Sequence, residues 1–96
     1  MYLEQPKIAL KPKNLSIKED EKAILDCNAK TRPTPNISWY KDDKSLKVDK
    51  KRIFKYVNGT LVINKVIPED SGKYQCSADV ASWSDSAEAT VDVYGK

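Results

Sequence analysis

Cys27 and Cys76 are the only thiols in a 96-residue chain that contains no histidine. Two thiolates without histidine help fall short of a tetrahedral zinc site, and their separation in sequence is too great for a redox pair. A disulfide is the economical chemistry. No serine or cysteine has a recognisable base beside it, and the paired carboxylates Asp42-Asp43 lie in a turn, where solvent is the default surrounding. No catalytic residue, cofactor or metal is therefore expected. Asn14-Leu15-Ser16, Asn36-Ile37-Ser38 and Asn58-Gly59-Thr60 each form a glycosylation acceptor sequence. Three acceptors beside a disulfide favour an oxidising, extracytoplasmic setting.

Charge adds a second kind of candidate. From Lys41 to Lys55 the chain carries Lys41, Lys44, Lys47, Lys50, Lys51, Arg52 and Lys55 against Asp42, Asp43 and Asp49. From Glu69 to Asp92 it carries Glu69, Asp70, Asp79, Asp85, Glu88 and Asp92 against Lys73 alone. Lys44, Lys47, Lys50 and Lys51 are candidates for contact with heparan sulfate or an acidic partner, because clustered cations gain affinity by releasing counterions. The plainer reading is a solvated face. Opposite signs on the two stretches also suit homophilic association. A net charge of +3 with mixed signs is not the clustered basic footprint of a nucleic-acid binder.

The elements that must position these groups are short. Hydrophobic residues make up 40% and charged residues 32%, enough for one core but not two, so residues 1–96 read as a single domain. No apolar run approaches the roughly 18 residues of a membrane span, and the opening residues lack the apolar stretch of a secretory signal. Met1 is read as the start of a fragment of a larger multidomain protein, with any signal upstream.

Alternating runs broken by turn residues predict an all-β fold. Lys7 to Lys11, between Pro6 and Pro12, and Asn14 to Ile17 are extended pieces. Ala23, Leu25 and Cys27 share one strand face, and Ile37, Trp39 and Lys41 another, with Trp39 pointing inward. Thr31 to Pro35 makes a stiff loop and Asp42 to Ser45 a turn. Leu46 to Val48 is read as a minor strand and Arg52 to Tyr56 as another. Asn58-Gly59 has the residues of a tight hairpin with both positions at positive φ. Leu61 and Ile63 face inward, Val66 sits at a bend, and Lys73 to Asp79 and Ala87 to Tyr94 complete the set.

Cys27, Trp39 and Cys76 stand at the spacing that would put the cysteines on facing strands of two sheets, with the indole against the bridge. In Asp70-Ser71-Gly72-Lys73-Tyr74-Gln75-Cys76, Tyr74 is placed to return its hydroxyl to upstream backbone, and Gly72 permits the turn. These residues resemble an immunoglobulin-like domain of the intermediate (I-set) type. The resemblance extends to Leu61-Val62-Ile63, Ala78 and the Ala87-x-Ala89-x-Val91-x-Val93 ending, and so spans nearly the whole chain. It implies a β-sandwich of two antiparallel sheets with one inter-sheet disulfide, about eight strands, and an ion pair between Arg52 and Asp70.

The last strand and Tyr94-Gly95 are similar to domains of contactin-like neural adhesion molecules and receptor ectodomains. One departure stands out. Family members commonly carry asparagine and glycine between the last two strands, where this chain has Val80-Ala81-Ser82-Trp83-Ser84-Asp85. Trp83 is thus expected at a loop tip, either packing locally or contacting a partner.

The resemblance implies a non-catalytic protein-binding or spacer module of an extracellular adhesion molecule or receptor, joined to adjacent domains. Two alternatives are a structural module of an intracellular muscle filament and a heparan-sulfate-binding module of a matrix protein or growth-factor receptor. Direct membrane insertion is not expected.

Overall fold

Period-two alternation governs the longest strands of the computed structural model, which describes residues 5–32, 34–49 and 51–95. In β9 (Gly72–Val80) the side chains of Tyr74, Cys76, Ala78 and Val80 are buried, while those between them face outward. The partner strand β10 (Trp83–Tyr94) buries Ala89, Val91 and Val93 in the same way. The earlier elements are β1 (Ile8–Leu10), β2 (Leu15–Lys18), β3 (Ala23–Leu25), β4 (Asn28–Ala29), β5 (Asn36–Lys41), β6 (Lys44–Ser45), β7 (Ile53–Lys55) and β8 (Leu61–Ile63). A 3-10 turn at Pro68–Asp70 precedes β9.

Five strands form one sheet in the order β2-β10-β9-β5-β6, three form another in the order β3-β8-β7, and β1 pairs with β4. The expectation of purely antiparallel sheets needs correction, because β2 runs parallel to β10, with Leu15 opposite Val91 and Ile17 opposite Val93. Pro12 gives the reason. Lacking an N–H, it cannot continue the β1 ladder, so the chain leaves β4 and reaches the other sheet without reversing direction. The described strands number ten and not about eight, partly because β4 follows β3 only after an interruption at Asp26 and Cys27.

Three turns also differ from expectation. The minor strand at Leu46–Val48 does not form, because the chain reverses earlier, at Asp42 (φ 50) and Asp43 (φ 68), and pairs Lys41 with Lys44. Aspartate tolerates this left-handed conformation better than most residues. At Asn58-Gly59 only glycine has positive φ, at 104. The Tyr56 carbonyl accepts the Gly59 N–H at 2.9 Å and the Tyr56 N–H reaches Thr60 O at 2.9 Å, giving a three-residue loop closed by a glycine bulge. A Cβ on Gly59 would overlap the carbonyl of Cys27, so glycine is required twice over. Finally, β10 begins at Trp83, which pairs with Val80, so the tryptophan starts a strand and is not at a loop tip. Ala81, at φ 54, is the left-handed residue of that two-residue hairpin.

Between the sheets lies one cluster that includes Ile8, Leu25, Cys27, Trp39, Leu61, Ile63, Val66, Tyr74, Cys76 and Val91. Burying each aliphatic side chain of this size contributes roughly 1.5–3 kcal/mol. Cys27 and Cys76 are joined across it with Cα atoms 6.5 Å apart. In the chain-entropy account a loop of this length stabilises by about 4 kcal/mol. Trp39, 4% exposed, satisfies its indole N–H on the carbonyl of Gly59 at 2.8 Å, which ties the core to the hairpin loop.

Candidate interaction surface

The base of the sandwich is held by a corner built on Asp70. Arg52 Nη1 and Nη2 donate to its two carboxylate oxygens at 2.6 and 3.1 Å, and the Ile67 N–H donates at 2.9 Å. The Asp70 carbonyl accepts the Tyr74 hydroxyl at 2.6 Å. Burial, with the Asp70 charge close by, pushes the Tyr74 phenol well above its ordinary pKa, so it remains a donor. Gly72 lies under the Asp42 side chain, where a Cβ would come within 2.8 Å of a carboxylate oxygen. That carboxylate accepts the Lys73 N–H at 3.0 Å, which holds its pKa below the usual range. Leu61 is fully buried in β8.

Asp49 plays a part that the sequence reading missed. Its Oδ1 accepts N–H groups from Lys51, Arg52 and Ile53 at 3.0, 2.7 and 2.8 Å. These donors lower its pKa to about 2 and set the backbone that aims Arg52 at Asp70. An aspartate just before a strand was the available signal, since such side chains cap following N–H groups.

The basic stretch does not make one face. Lys41 Nζ donates to the Glu69 carbonyl at 2.8 Å, Lys55 Nζ to the Ile37 carbonyl at 2.7 Å, and Arg52 is committed to Asp70. Lys44 lies on the edge strand β6, and Lys47 is exposed beyond it. Lys51 instead lines a groove with Lys22 and Lys65. Lys50 lies outside the described residues. The acidic stretch is divided as well: Asp85 accepts the Ile8 N–H at 2.8 Å, and Glu88 pairs with Lys73 at 3.9 Å.

Trp83 is 38% exposed and outside the core cluster. Pairing of Asn36 with Asp79 and of Val80 with Trp83 puts this hairpin at the end of the sandwich where β5 begins. The same end carries a groove lined by Thr34, Pro35, Ile37, Val57 and Asn58. Val57, at the β7–β8 hairpin, is fully exposed.

All three acceptor asparagines are exposed. Asn14 Oδ1 accepts the Thr90 N–H at 2.8 Å, and Asn58 Oδ1 accepts the Thr60 N–H at 3.0 Å. Asn36 begins β5. Among the described residues no group of three or more acidic, cysteine or histidine side chains is placed to hold a metal, and no helix is long and apolar enough to cross a membrane.

Known proteins share this arrangement. The chain is 37% identical over 84 residues to Immunoglobulin superfamily member 10 of Mus musculus, covering 86% of this chain and 3% of that protein. It is 32% identical over 93 residues to Vascular endothelial growth factor receptor 3 of Danio rerio, covering 97% of this chain and 7% of that one. The chain therefore spans only a small fraction of either relative. A mutant complex of titin M10 with an obscurin-like 1 immunoglobulin domain superposes with a TM-score of 0.92 over 99% of this chain and 98% of that one, at 24% identity, a likeness of fold alone. The Immunoglobulin I-set domain profile matches residues 6–93, which take in the bridge, the indole and the tyrosine corner, and the chain belongs to the immunoglobulin I-set family.

Proposed function

We propose that this I-set domain is a non-catalytic recognition and spacing module in the extracellular part of a receptor or adhesion protein. Domains of this family generally serve receptors and adhesion proteins as binding modules, and the identity of 32% to Vascular endothelial growth factor receptor 3 carries the reading. The buried bridge between Cys27 and Cys76 supports it, since disulfides persist in oxidising compartments. Three exposed acceptor asparagines agree with it.

Recognition of a protein partner falls to the end of the sandwich that carries Trp83 and Val57. A half-exposed tryptophan outside the core supplies the large, rigid contact area on which binding energy concentrates. Trp83→Ala is expected to leave the unfolding midpoint nearly unchanged and to weaken partner binding. A loss of stability as large as that of a core substitution would place Trp83 in the fold instead. Mass spectrometry of the parent protein from its native source tests the compartment. Glycan at Asn14, Asn36 or Asn58 with an oxidised Cys27–Cys76 pair supports the extracellular assignment, and reduced thiols with unmodified asparagines would refute it.

A further inference from the structure

We propose that a groove at the opposite end of the sandwich binds a sulfated polysaccharide through Lys22, Lys51 and Lys65. This rests on the extracellular reading above, because that is where such polymers are met. The groove has a volume of about 560 Å³ and is lined by those three lysines with Arg52, Asn64 and Asp20. It sits at the end of the sandwich where β10 finishes, since the Glu19 N–H binds the Tyr94 carbonyl at 2.8 Å and the Asp20 N–H binds that of Val66 at 2.8 Å.

The lysines come from three separate places in the sequence, and their backbones are pinned together. The Val66 N–H donates to Glu21 O at 2.9 Å, the Asn64 N–H to Arg52 O at 2.7 Å, and Asp49 gathers the N–H groups of Lys51, Arg52 and Ile53. Lys65 is held in the left-handed region at φ 50, at the tip of its turn. All three side chains are exposed, and among the described residues none has a hydrogen bond or ion pair through its ammonium group. Arg52 is already neutralised by Asp70, and Asp20 is the one acid among the described residues of the lining.

The composition selects the ligand class. Centres of protein–protein interfaces are depleted in lysine and organised around aromatic anchors. Among the described residues the lining has three lysines and no aromatic. Compact ammonium groups on long stems suit spaced, multiply charged anions, whose binding is driven by counterion release. The Asn64 amide supplies a partner for sugar hydroxyls beside the sulfates.

The test uses the 96-residue chain and size-defined heparin oligosaccharides, with affinity measured over a range of salt. Lys22→Gln, Lys51→Gln and Lys65→Gln together are compared with Lys7→Gln, Lys13→Gln and Lys30→Gln, which remove the same three charges from exposed positions elsewhere. The groove variant is expected to bind on the order of 10- to 100-fold more weakly near physiological salt, with the slope of log Kd against log salt reduced by about three. The control variant should stay within about two-fold, and both should keep the parent unfolding midpoint. Equal weakening of both variants, an unaffected groove variant, or no heparin binding by the parent chain would overturn the proposal. So would polyglutamate or single-stranded DNA of matched charge binding as tightly as heparin. Reduced thiols and bare acceptor asparagines in the parent protein would instead refute the compartment, whatever the chain does with heparin.

Discussion

Truncating Arg52 to alanine takes both guanidinium donors away from a carboxylate that the fold has already removed from water. Asp70 is 5% exposed, and it would keep only the Ile67 N–H at 2.9 Å as a partner in place of three donors. Breaking a buried pair from one side costs about 3–5 kcal/mol, whereas exposed pairs contribute about 0–1. The Arg52 side chain is 31% exposed, so water reaches part of the vacated space and the expected cost is about 2–4 kcal/mol. A domain of this size has roughly 5–14 kcal/mol in all. A loss of about 3 kcal/mol would lower Tm by about 12–24 °C. Urea unfolding of the parent chain, Arg52→Ala, Asp70→Ala and the double variant measures both the cost and the coupling. Asp70→Ala also removes the acceptor of the Ile67 N–H, so its loss should be at least comparable. The double variant should be more stable than the sum of the singles predicts, by about 1.5–3 kcal/mol. Additive losses, or an Arg52→Ala cost below about 0.5 kcal/mol, would show that the pair behaves as a surface contact and that the corner does not depend on it.

Trp39→Phe keeps most of the buried ring but leaves the Gly59 carbonyl without its donor, so chemical unfolding should register a loss of about 1–3 kcal/mol. Ala81→Gly relieves a left-handed alanine at φ 54 and should stabilise by roughly 0.5–1 kcal/mol in the same assay; destabilisation would mean that the methyl group packs usefully. Asp49 has a folded pKa of about 2 against an ordinary 3.8, so its contribution is complete above about pH 4 and is lost as pH falls towards 2. Asp49→Asn should therefore flatten stability against pH across that window, and carboxyl NMR titration should find Asp49 itself near 2; an ordinary titration would remove the cause.

The charged candidates show why some of the surface could not be read in advance. Lys41, Lys55 and Arg52 lie within the basic run, yet each turns its charge to a partner at least 18 positions away, Glu69, Ile37 and Asp70 respectively. Conversely, Lys22, Lys51 and Lys65 meet in one groove with no signal linking them along the chain. Local charge density describes neighbours in sequence, and β pairing replaces those neighbours with others.

What the sequence determined by itself were the features that rest on local chemistry. Period-two alternation specified β9 and the inner part of β10, and the Cys27, Trp39, Tyr74 and Cys76 pattern specified the family and the core around the bridge. These follow because burial acts on each apolar residue according to the face it occupies, and the face follows from its position in the strand. Tertiary structure decided where the strands stop and which charges remain free. Trp83 joined β10 because Val80 stood opposite it, the chain turned early at Asp42-Asp43 because the Lys73 N–H bound Asp42, and β2 ran parallel because the chain changed sheets beyond Pro12. The last two of these outcomes depend on partners brought from a distant part of the chain, and only the assembled sheets supply them.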